Sequence, residues 1–137
     1  MKKLSLIIML LAFLSIELSG QNAPLWLRYS SISPDGSQIA FSYKGDIYKV
    51  SVSGGKAIQL TTHSAYDTRP VWSPNGSQIA FASDREGSLD VFIISSEGGA
   101  PKRLTTHSAA EYPIAFRDNG TVLFAANIMR EIGRAHV

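Results

Sequence analysis

The chain has 137 residues, with 13 Lys and Arg against 11 Asp and Glu, for a formal net charge of +2 at pH 7. So small an excess, with no basic stretch, does not favour a nucleic-acid partner. The absence of cysteine excludes a disulfide framework, a lipid-modified cysteine anchor and cysteine-ligated zinc, and no His-Glu-x-x-His zinc signature occurs. We therefore expect no metal and no cofactor.

The first 20 residues have the pattern of a secretory signal peptide. Lys2 and Lys3 precede Leu4–Leu14, an apolar run of about 11 residues, whereas roughly 20 are needed to span a bilayer. Small and polar residues follow as far as Gly20. We expect cleavage at or near Gln21 and a periplasmic or extracellular mature protein without membrane contact; a retained anchor is the alternative.

The middle of the chain repeats itself. Ser33–Phe41 recurs as Ser73–Phe81 at an offset of 40 residues, and Leu60–His63 recurs as Leu104–His107 at an offset of 44. The offset grows because four residues are inserted near the middle of the second copy. A third copy begins at Tyr112. A period of 40–44 residues is typical of β-propeller blades.

Each copy reads as four short antiparallel strands, which in the second copy are predicted near residues 69–72, 78–83, 89–94 and 102–105. The third of these, Leu89–Ile94, is apolar almost throughout, as is typical of a strand covered on both faces. Such a sheet must lie between similar sheets, and radial stacking of blades provides that environment. We predict an all-β fold, a β-propeller with four-stranded antiparallel blades; a two-sheet sandwich is the alternative.

The predicted propeller occupies residues 21–130, with blade 1 at about 25–64, blade 2 at about 65–108 and a partial blade 3 at about 109–130. Propellers close with roughly 4–8 blades. About two and a half blades therefore indicate a truncated propeller, cut from a longer protein.

Residues 131–137 do not follow the repeat. They read Glu-Ile-Gly-Arg-Ala-His-Val and lack the Asp-apolar-aromatic third strand of the earlier copies. The string resembles the translation of a common sequencing-library adapter. We interpret it as an artefact and exclude it from the predicted fold.

Turn residues recur at equivalent places in the copies. Proline at the second position pre-sets φ for a type I turn, and glycine at the fourth accepts the left-handed conformation. The predicted structural turn residues are Pro34, Asp35, Gly36, Pro74, Asn75, Gly76, Asn119, Gly120, Gly54, Gly55, Gly98 and Gly99.

Two histidines could be considered as catalytic residues. His63 and His107 occupy the same place in successive copies, whereas a catalytic site needs a single constellation. We expect them to form turn hydrogen bonds between blades. The chain also lacks a Gly-x-Ser-x-Gly elbow, so no catalytic residue is predicted.

Other conspicuous side chains have plain structural explanations. Asp84, Arg85 and Glu86 lie in the insertion and are expected to form a solvated loop. Trp26 and Trp72 are expected to pack between blades.

The repeat unit carries a family resemblance. Ser-Pro-Asp-Gly-x-x-Ile-Ala-Phe, followed by Asp-Ile-Tyr and a Gly-Gly turn, resembles the propeller repeat of TolB and tricorn-type proteases over Ile32–Phe124. Pro24–Tyr29, together with Phe41–Tyr48, is similar to the opening of bacterial tricorn protease homologues. The resemblance implies an exported serine peptidase whose propellers admit peptides and guide them to a C-terminal active site. None of that family's catalytic positions has a counterpart here, so it implies a non-catalytic part that binds peptides or a protein partner through the complete propeller.

Two other classes remain open. A TolB-like periplasmic protein-binding propeller would carry an α/β domain before its blades, yet only Gln21–Pro24 separates the expected cleavage point from the first blade. A prolyl-oligopeptidase-type hydrolase would use the propeller as a gate and carry its Gly-x-Ser-x-Gly elbow further along. A propeller fused to an amidohydrolase also fits.

Overall fold

The computed structural model describes residues 26–127 and 132–137, so the predicted signal peptide lies outside the described residues. Three antiparallel sheets lie side by side, with strand orders β1-β2-β3-β4, β5-β6-β7-β8 and β9-β10-β11. We call them blades 1, 2 and 3. Their strands are β1 Arg28–Ile32, β2 Gln38–Tyr43, β3 Asp46–Ser51, β4 Ile58–Gln59, β5 Asp67–Trp72, β6 Gln78–Glu86, β7 Ser88–Ser95, β8 Lys102–Arg103, β9 Glu111–Asp118, β10 Thr121–Ala126 and β11 Ile132–His136. The predicted all-β, blade-like architecture is confirmed.

The core lies between the sheets because both faces of each central strand are apolar. The first interface, between blades 1 and 2, is a buried cluster of Ala40, Ile47, Leu60, Trp72, Ile79, Phe81, Phe92 and Ile94. The second interface, between blades 2 and 3, buries Ala80, Val91 and Val122, with Leu104, Phe116, Phe124 and Val137 partly buried around them. Successive residues of a strand point to opposite faces, so Phe81 and Ala80 serve different interfaces.

Polar contacts also join blades 1 and 2. The Trp72 indole Nε1 donates to the Ser31 carbonyl oxygen at 3.0 Å, and Lys49 Nζ lies 2.8 Å from Glu97 Oε1. The Trp72 ring is therefore buried between the blades, and its polar indole nitrogen has a hydrogen-bond partner. Trp26, in contrast, is 61% exposed, so it does not pack between the described blades, and its packing against a further blade stays a prediction.

The insertion in blade 2 extends a hairpin instead of forming a loop. Glu86 pairs with Ser88 at the tip, which leaves Gly87 as the connection, at φ +107°. The buried residues of β7, from Asp90 to Ile94, confirm a strand covered on both faces.

The structure differs from the sequence prediction at residues 131–137. Ile132–His136 form β11, which pairs antiparallel with β10 from Thr121↔His136 to Ala125↔Ile132. Excluding this segment from the fold was therefore wrong. Whether the source gene encodes it stays a prediction, because backbone pairing requires only an extended segment of sufficient length.

Among the described residues, no helix is long and apolar enough to cross a membrane.

Candidate functional site

The turns between the first and second strands are closed by their own side chains. Asp35 Oδ1 accepts hydrogen bonds from Ser33 Oγ at 2.6 Å and from the Ser37 amide at 3.0 Å, and these lower the pKa of Asp35 to about 2. Asn75 makes the equivalent bonds in blade 2, to Ser73 and Ser77. Side chains of this kind stabilise turns locally, which accounts for the Ser-Pro-Asp/Asn-Gly-Ser unit without a ligand.

The turn glycines differ between blades. Gly36 and Gly76 have φ of +72° and +70°, and Gly54, Gly55, Gly98 and Gly99 also have positive φ. Gly120, in the Asn119–Gly120 turn, is not among the positive-φ glycines. A Cβ at Gly120 would lie 3.5 Å from Asp118 Oδ1, which is an ordinary contact. The third turn therefore does not need glycine in the way that the first two do.

In blades 1 and 2, an aspartate on the third strand forms hydrogen bonds to residues on or just after the fourth strand. In blade 1, Asp46 accepts from Gln59 Nε2 at 2.9 Å and from Thr61 Oγ1 at 3.2 Å. In blade 2, the fully buried Asp90 accepts from Arg103 Nη2 at 2.7 Å. Burial, together with the nearby Asp67 carboxylate, raises the pKa of Asp46. These aspartates therefore have a structural role, which is to hold the third and fourth strands of their blades together.

Arg85 corrects the expectation of a solvated loop in the insertion. Its Nη2 lies 3.0 and 2.9 Å from the two carboxylate oxygens of Asp67, and the Asp67 side chain has 0% exposure. The guanidinium carbon is also 4.7 Å from the centroid of the Phe92 ring. Arg85 thus neutralises a buried charge beside the first interface. Asp84 and Glu86 are exposed, as expected.

The two histidines have local roles. His63 Nδ1 accepts from the Ala65 amide at 3.1 Å, and His107 Nδ1 accepts from the Ala109 amide at 3.0 Å. Each bond lies within the segment that connects one blade to the next. Among the described residues, no three His, Cys, Asp or Glu side chains converge where a metal ion could bind.

Equivalent positions on the first strands carry a group that the sequence analysis missed. Tyr29 on β1, Arg69 on β5 and Tyr112 on β9 lie next to one another, because these three strands are adjacent. We call these three residues the inner row. The Arg69 guanidinium carbon lies 5.0 Å from the Tyr29 ring centroid and 4.3 Å from that of Tyr112. Cation–π contacts at such distances fix a long side chain in place.

Irregular backbone positions this row. Strand pairing shifts register between Arg28 and Ser31 in β1, and between Thr68 and Val71 in β5. Within these bulges, Tyr29 and Arg69 have φ of +52° and +55°. Bulges re-aim side chains, and here they leave Arg69 as the one exposed residue of the otherwise covered β5.

A sequence signal for the row exists. Tyr29 and Arg69 are separated by the 40-residue offset of the repeat, and Arg69 and Tyr112 each precede a proline, Pro70 and Pro113. Aromatic and cationic residues at one repeat position predict a stack only when the strands are known to be adjacent. The exposed Arg69 and Tyr29, together with the half-buried Tyr112, can bind extended chains through stacking and charge-assisted hydrogen bonds.

Comparisons with known proteins agree with this fold. Residues 24–136 match the family described as the tricorn protease N-terminal beta propeller domain. Tricorn protease homolog 1 of Streptomyces coelicolor is 34% identical over 69 residues, which are 50% of this chain and 6% of that protein.

Solved structures with similar folds include two of note. The structure of putative TolB from Agrobacterium tumefaciens matches with a TM-score of 0.71 at 21% identity, over 82% of this chain and 45% of that one. The crystal structure of the tricorn protease matches with a TM-score of 0.59 at 16% identity, over 78% of this chain and 12% of that one. At these identities the similarity shows the fold alone. The matches span less than half the length of each of these proteins.

Proposed function

The chain belongs to the family of tricorn protease N-terminal β-propeller domains, and from this premise we propose that it is the non-catalytic propeller portion of an exported serine peptidase. In that protein the propeller guides or gates peptide substrates on their way to a catalytic domain outside this chain.

The observation that carries the proposal is the inner row. Inner strands of a propeller surround its central channel, and Arg69 is exposed there although blade 2 has a neighbour on each side. Tyr29 is 45% exposed beside it. An exposed cation between aromatic rings suits a surface over which peptides pass, because it offers both stacking and hydrogen-bond donors.

Export is supported by the signal-like residues 1–20. N-terminal sequencing of the mature protein from a periplasmic fraction should begin at or near Gln21. Mature protein that retains Met1 would contradict export by this route.

The guiding role can be tested by partial obstruction of the row in the intact protein. This chain has no cysteine, so Tyr29→Cys introduces a labelling site on β1 that a bulky polyethylene glycol maleimide can modify. Ser53→Cys, in an exposed turn between β3 and β4, is the matched control. Labelling at position 29 should slow hydrolysis of long peptides several-fold and leave a small chromogenic amide unaffected, whereas labelling at position 53 should change neither. Equal rates for both labelled variants on long peptides would refute guidance.

A TolB-like binding role gives a different outcome. The intact protein would then bind a protein partner and hydrolyse no peptide, labelled or not.

A further inference from the structure

A second group of aromatic side chains lies where the chain enters the first strands of blades 1 and 2. Trp26 and Tyr66 are separated by the 40-residue offset of the repeat and precede β1 and β5. Their side chains are exposed, at 61% and 45%. Neither belongs to the buried clusters that fill the two interfaces between the described blades, so core packing does not explain them.

Trp26 and Tyr66 line one cavity of about 290 Å³, and the β2–β3 turn forms a further wall of it. Tyr43, Lys44 and Gly45 come from the end of β2 and that turn, and Arg28 comes from the start of β1. We call this cavity the entry pocket. It lies beside the connection from blade 1 to blade 2, at the end of the blades where the inner strands begin.

We propose that the entry pocket binds one aromatic side chain of a peptide that approaches the propeller channel. This inference rests on the proposed function and names the substrate chemistry at one end of that channel.

The size of the entry pocket suits a single side chain. Cavities that hold a whole drug-sized ligand have volumes of about 300–1,000 Å³. The entry pocket, at about 290 Å³, lies just below that range. Its occupant is therefore one side chain of an extended peptide whose backbone stays outside.

The lining favours an aromatic occupant over other side chains. Trp26, Tyr43 and Tyr66 provide rings, and pairs of aromatic rings gain more than their buried area alone supplies. Arg28 and Lys44 add positive charge, which attracts the electron-rich face of a ring and repels lysine or arginine. An acidic side chain would have to give up its hydration against three rings.

The walls of the entry pocket are held in place before a peptide arrives. The Tyr66 amide donates to Asp84 Oδ1 at 2.7 Å, and the Asp67 amide donates to the Gly45 carbonyl oxygen at 2.7 Å. The Tyr66 ring packs on the turn, with its Cδ2 atom 3.7 Å from where a Cβ at Gly45 would lie. A preformed pocket loses less conformational entropy on binding.

The test measures binding of short peptides to the intact protein by saturation-transfer NMR, which needs no label that is itself aromatic. The protein is first treated with a serine-reactive fluorophosphonate so that the peptides are not cleaved. The probes are acetylated and amidated pentapeptides of Gly and Ser whose central residue is Phe, Leu, Glu, Lys or Ala. Because the ends are blocked, only the Glu peptide carries a carboxylate.

Trp26→Ala is the main variant, because its exposed ring can be removed without loss of core packing. Trp26→Phe keeps an aromatic ring at the same place. Ile58→Ala is the matched control, since Ile58 is 55% exposed on β4 and does not line the entry pocket.

We expect the wild-type protein to bind the Phe peptide about tenfold more tightly than the Ala peptide, as burial of one aromatic side chain predicts. The Leu peptide should fall between them, and the Glu and Lys peptides should bind no better than the Ala peptide. Saturation should transfer most strongly to the Phe ring protons. Trp26→Ala should remove most of the preference for Phe, whereas Trp26→Phe and Ile58→Ala should keep most of it.

Equal wild-type affinity for the Phe and Ala peptides, or for the Phe and Leu peptides, would overturn the inference. An unchanged preference in Trp26→Ala, or tightest binding of the Glu peptide, would overturn it as well. Failure of the proposed function looks different: the wild-type protein would neither react with the fluorophosphonate nor hydrolyse any peptide. A preference for Phe in such a protein would support the entry pocket and refute the peptidase alone, and an active peptidase without that preference would refute the entry pocket alone.

Discussion

The interface between blades 1 and 2 and the interface between blades 2 and 3 are built on the same backbone repeat but are filled differently. In blade 2, Phe81 pairs with Phe92 across β6 and β7, and their stacked rings, 6.0 Å apart, face blade 1. In blade 3 the equivalent phenylalanine, Phe124, pairs with Gly133. At this cross-strand pair, the first interface therefore has two aromatic rings and the second has one.

The difference shows in burial. Phe81 has 0% exposure and Phe92 has 3%, whereas Phe124 is only partly buried. A Cβ at Gly133 would come within 2.2 Å of the Phe124 ring, so the ring occupies the space above the glycine. Strand pairing thus specifies where a blade lies, but the aromatic pair determines how much surface it buries against its neighbour.

The largest expected effect comes from removing the ring that fills the first interface. Phe81→Ala should lower the free energy of unfolding by about 3–5 kcal/mol, because it deletes a fully buried ring and leaves a cavity. Phe124→Ala, in the second interface, should cost about 1–2 kcal/mol. Hydrogen exchange of the β6 and β10 amides in the 137-residue chain, which has Gly133 opposite Phe124, measures both losses locally. Equal losses would show that the two interfaces are equivalent after all.

Arg85 gives the first interface a buried ion pair that the described residues of blade 3 lack. Arg85→Ala should cost about 3 kcal/mol, because it leaves the Asp67 carboxylate buried without a counter-ion. Arg117→Ala, which breaks an exposed pair with Asp118, should leave the free energy of unfolding almost unchanged, because solvent screens that pair. Urea denaturation followed by tryptophan fluorescence distinguishes the two. A loss below about 1 kcal/mol for Arg85→Ala would mean that water or another cation reaches Asp67.

The turns between the first and second strands also differ between blades 2 and 3. Gly76→Ala should destabilise the protein by about 1–2 kcal/mol, since alanine is strained at a φ of +70°. Gly120→Ala should be neutral within about 0.5 kcal/mol, because that glycine has neither a positive φ nor a close contact. Thermal melts of the two variants provide the test, and an equal drop in melting temperature would contradict the difference between the turns.

The smallest effect concerns pH. Burial and the nearby Asp67 raise the pKa of Asp46, so the folded state disfavours its charged form. A carboxyl group with a raised pKa contributes stability below its unfolded pKa and loses that contribution as the pH rises through the folded value. The free-energy difference between Asp46→Asn and wild type should therefore favour the variant more at neutral pH than in acid. Unfolding midpoints at several pH values measure this, and an advantage that grows in acid would reverse the sign.

Sequence reasoning was strongest where one residue pattern implies one backbone geometry. The Ser-Pro-Asp/Asn-Gly units and the apolar Leu89–Ile94 run predicted turns and a covered strand, because local φ preferences and two-faced burial leave few alternatives. The ion pair between Arg85 and Asp67 was missed, since those residues are 18 positions apart and meet only when the β6–β7 hairpin extends. The inner row was missed for a similar reason. Tyr29, Arg69 and Tyr112 belong to three different sheets, and no local pattern reports contact between sheets.

The central claim is that a complete blade carries an aromatic pair, one residue on its second strand and one opposite it on its third. Phe41 pairs with Tyr48 and Phe81 with Phe92, but Phe124 faces Gly133 within the segment that we interpret as adapter sequence. Long-read sequencing of the source gene beyond the codon for Asn127 tests this most directly. We predict a reading frame that continues into a turn and an Asp-containing third strand with an aromatic residue opposite Phe124, followed by further blades at the 40–44 residue period. A gene that encodes Glu131–Val137 in frame and stops there would contradict the claim.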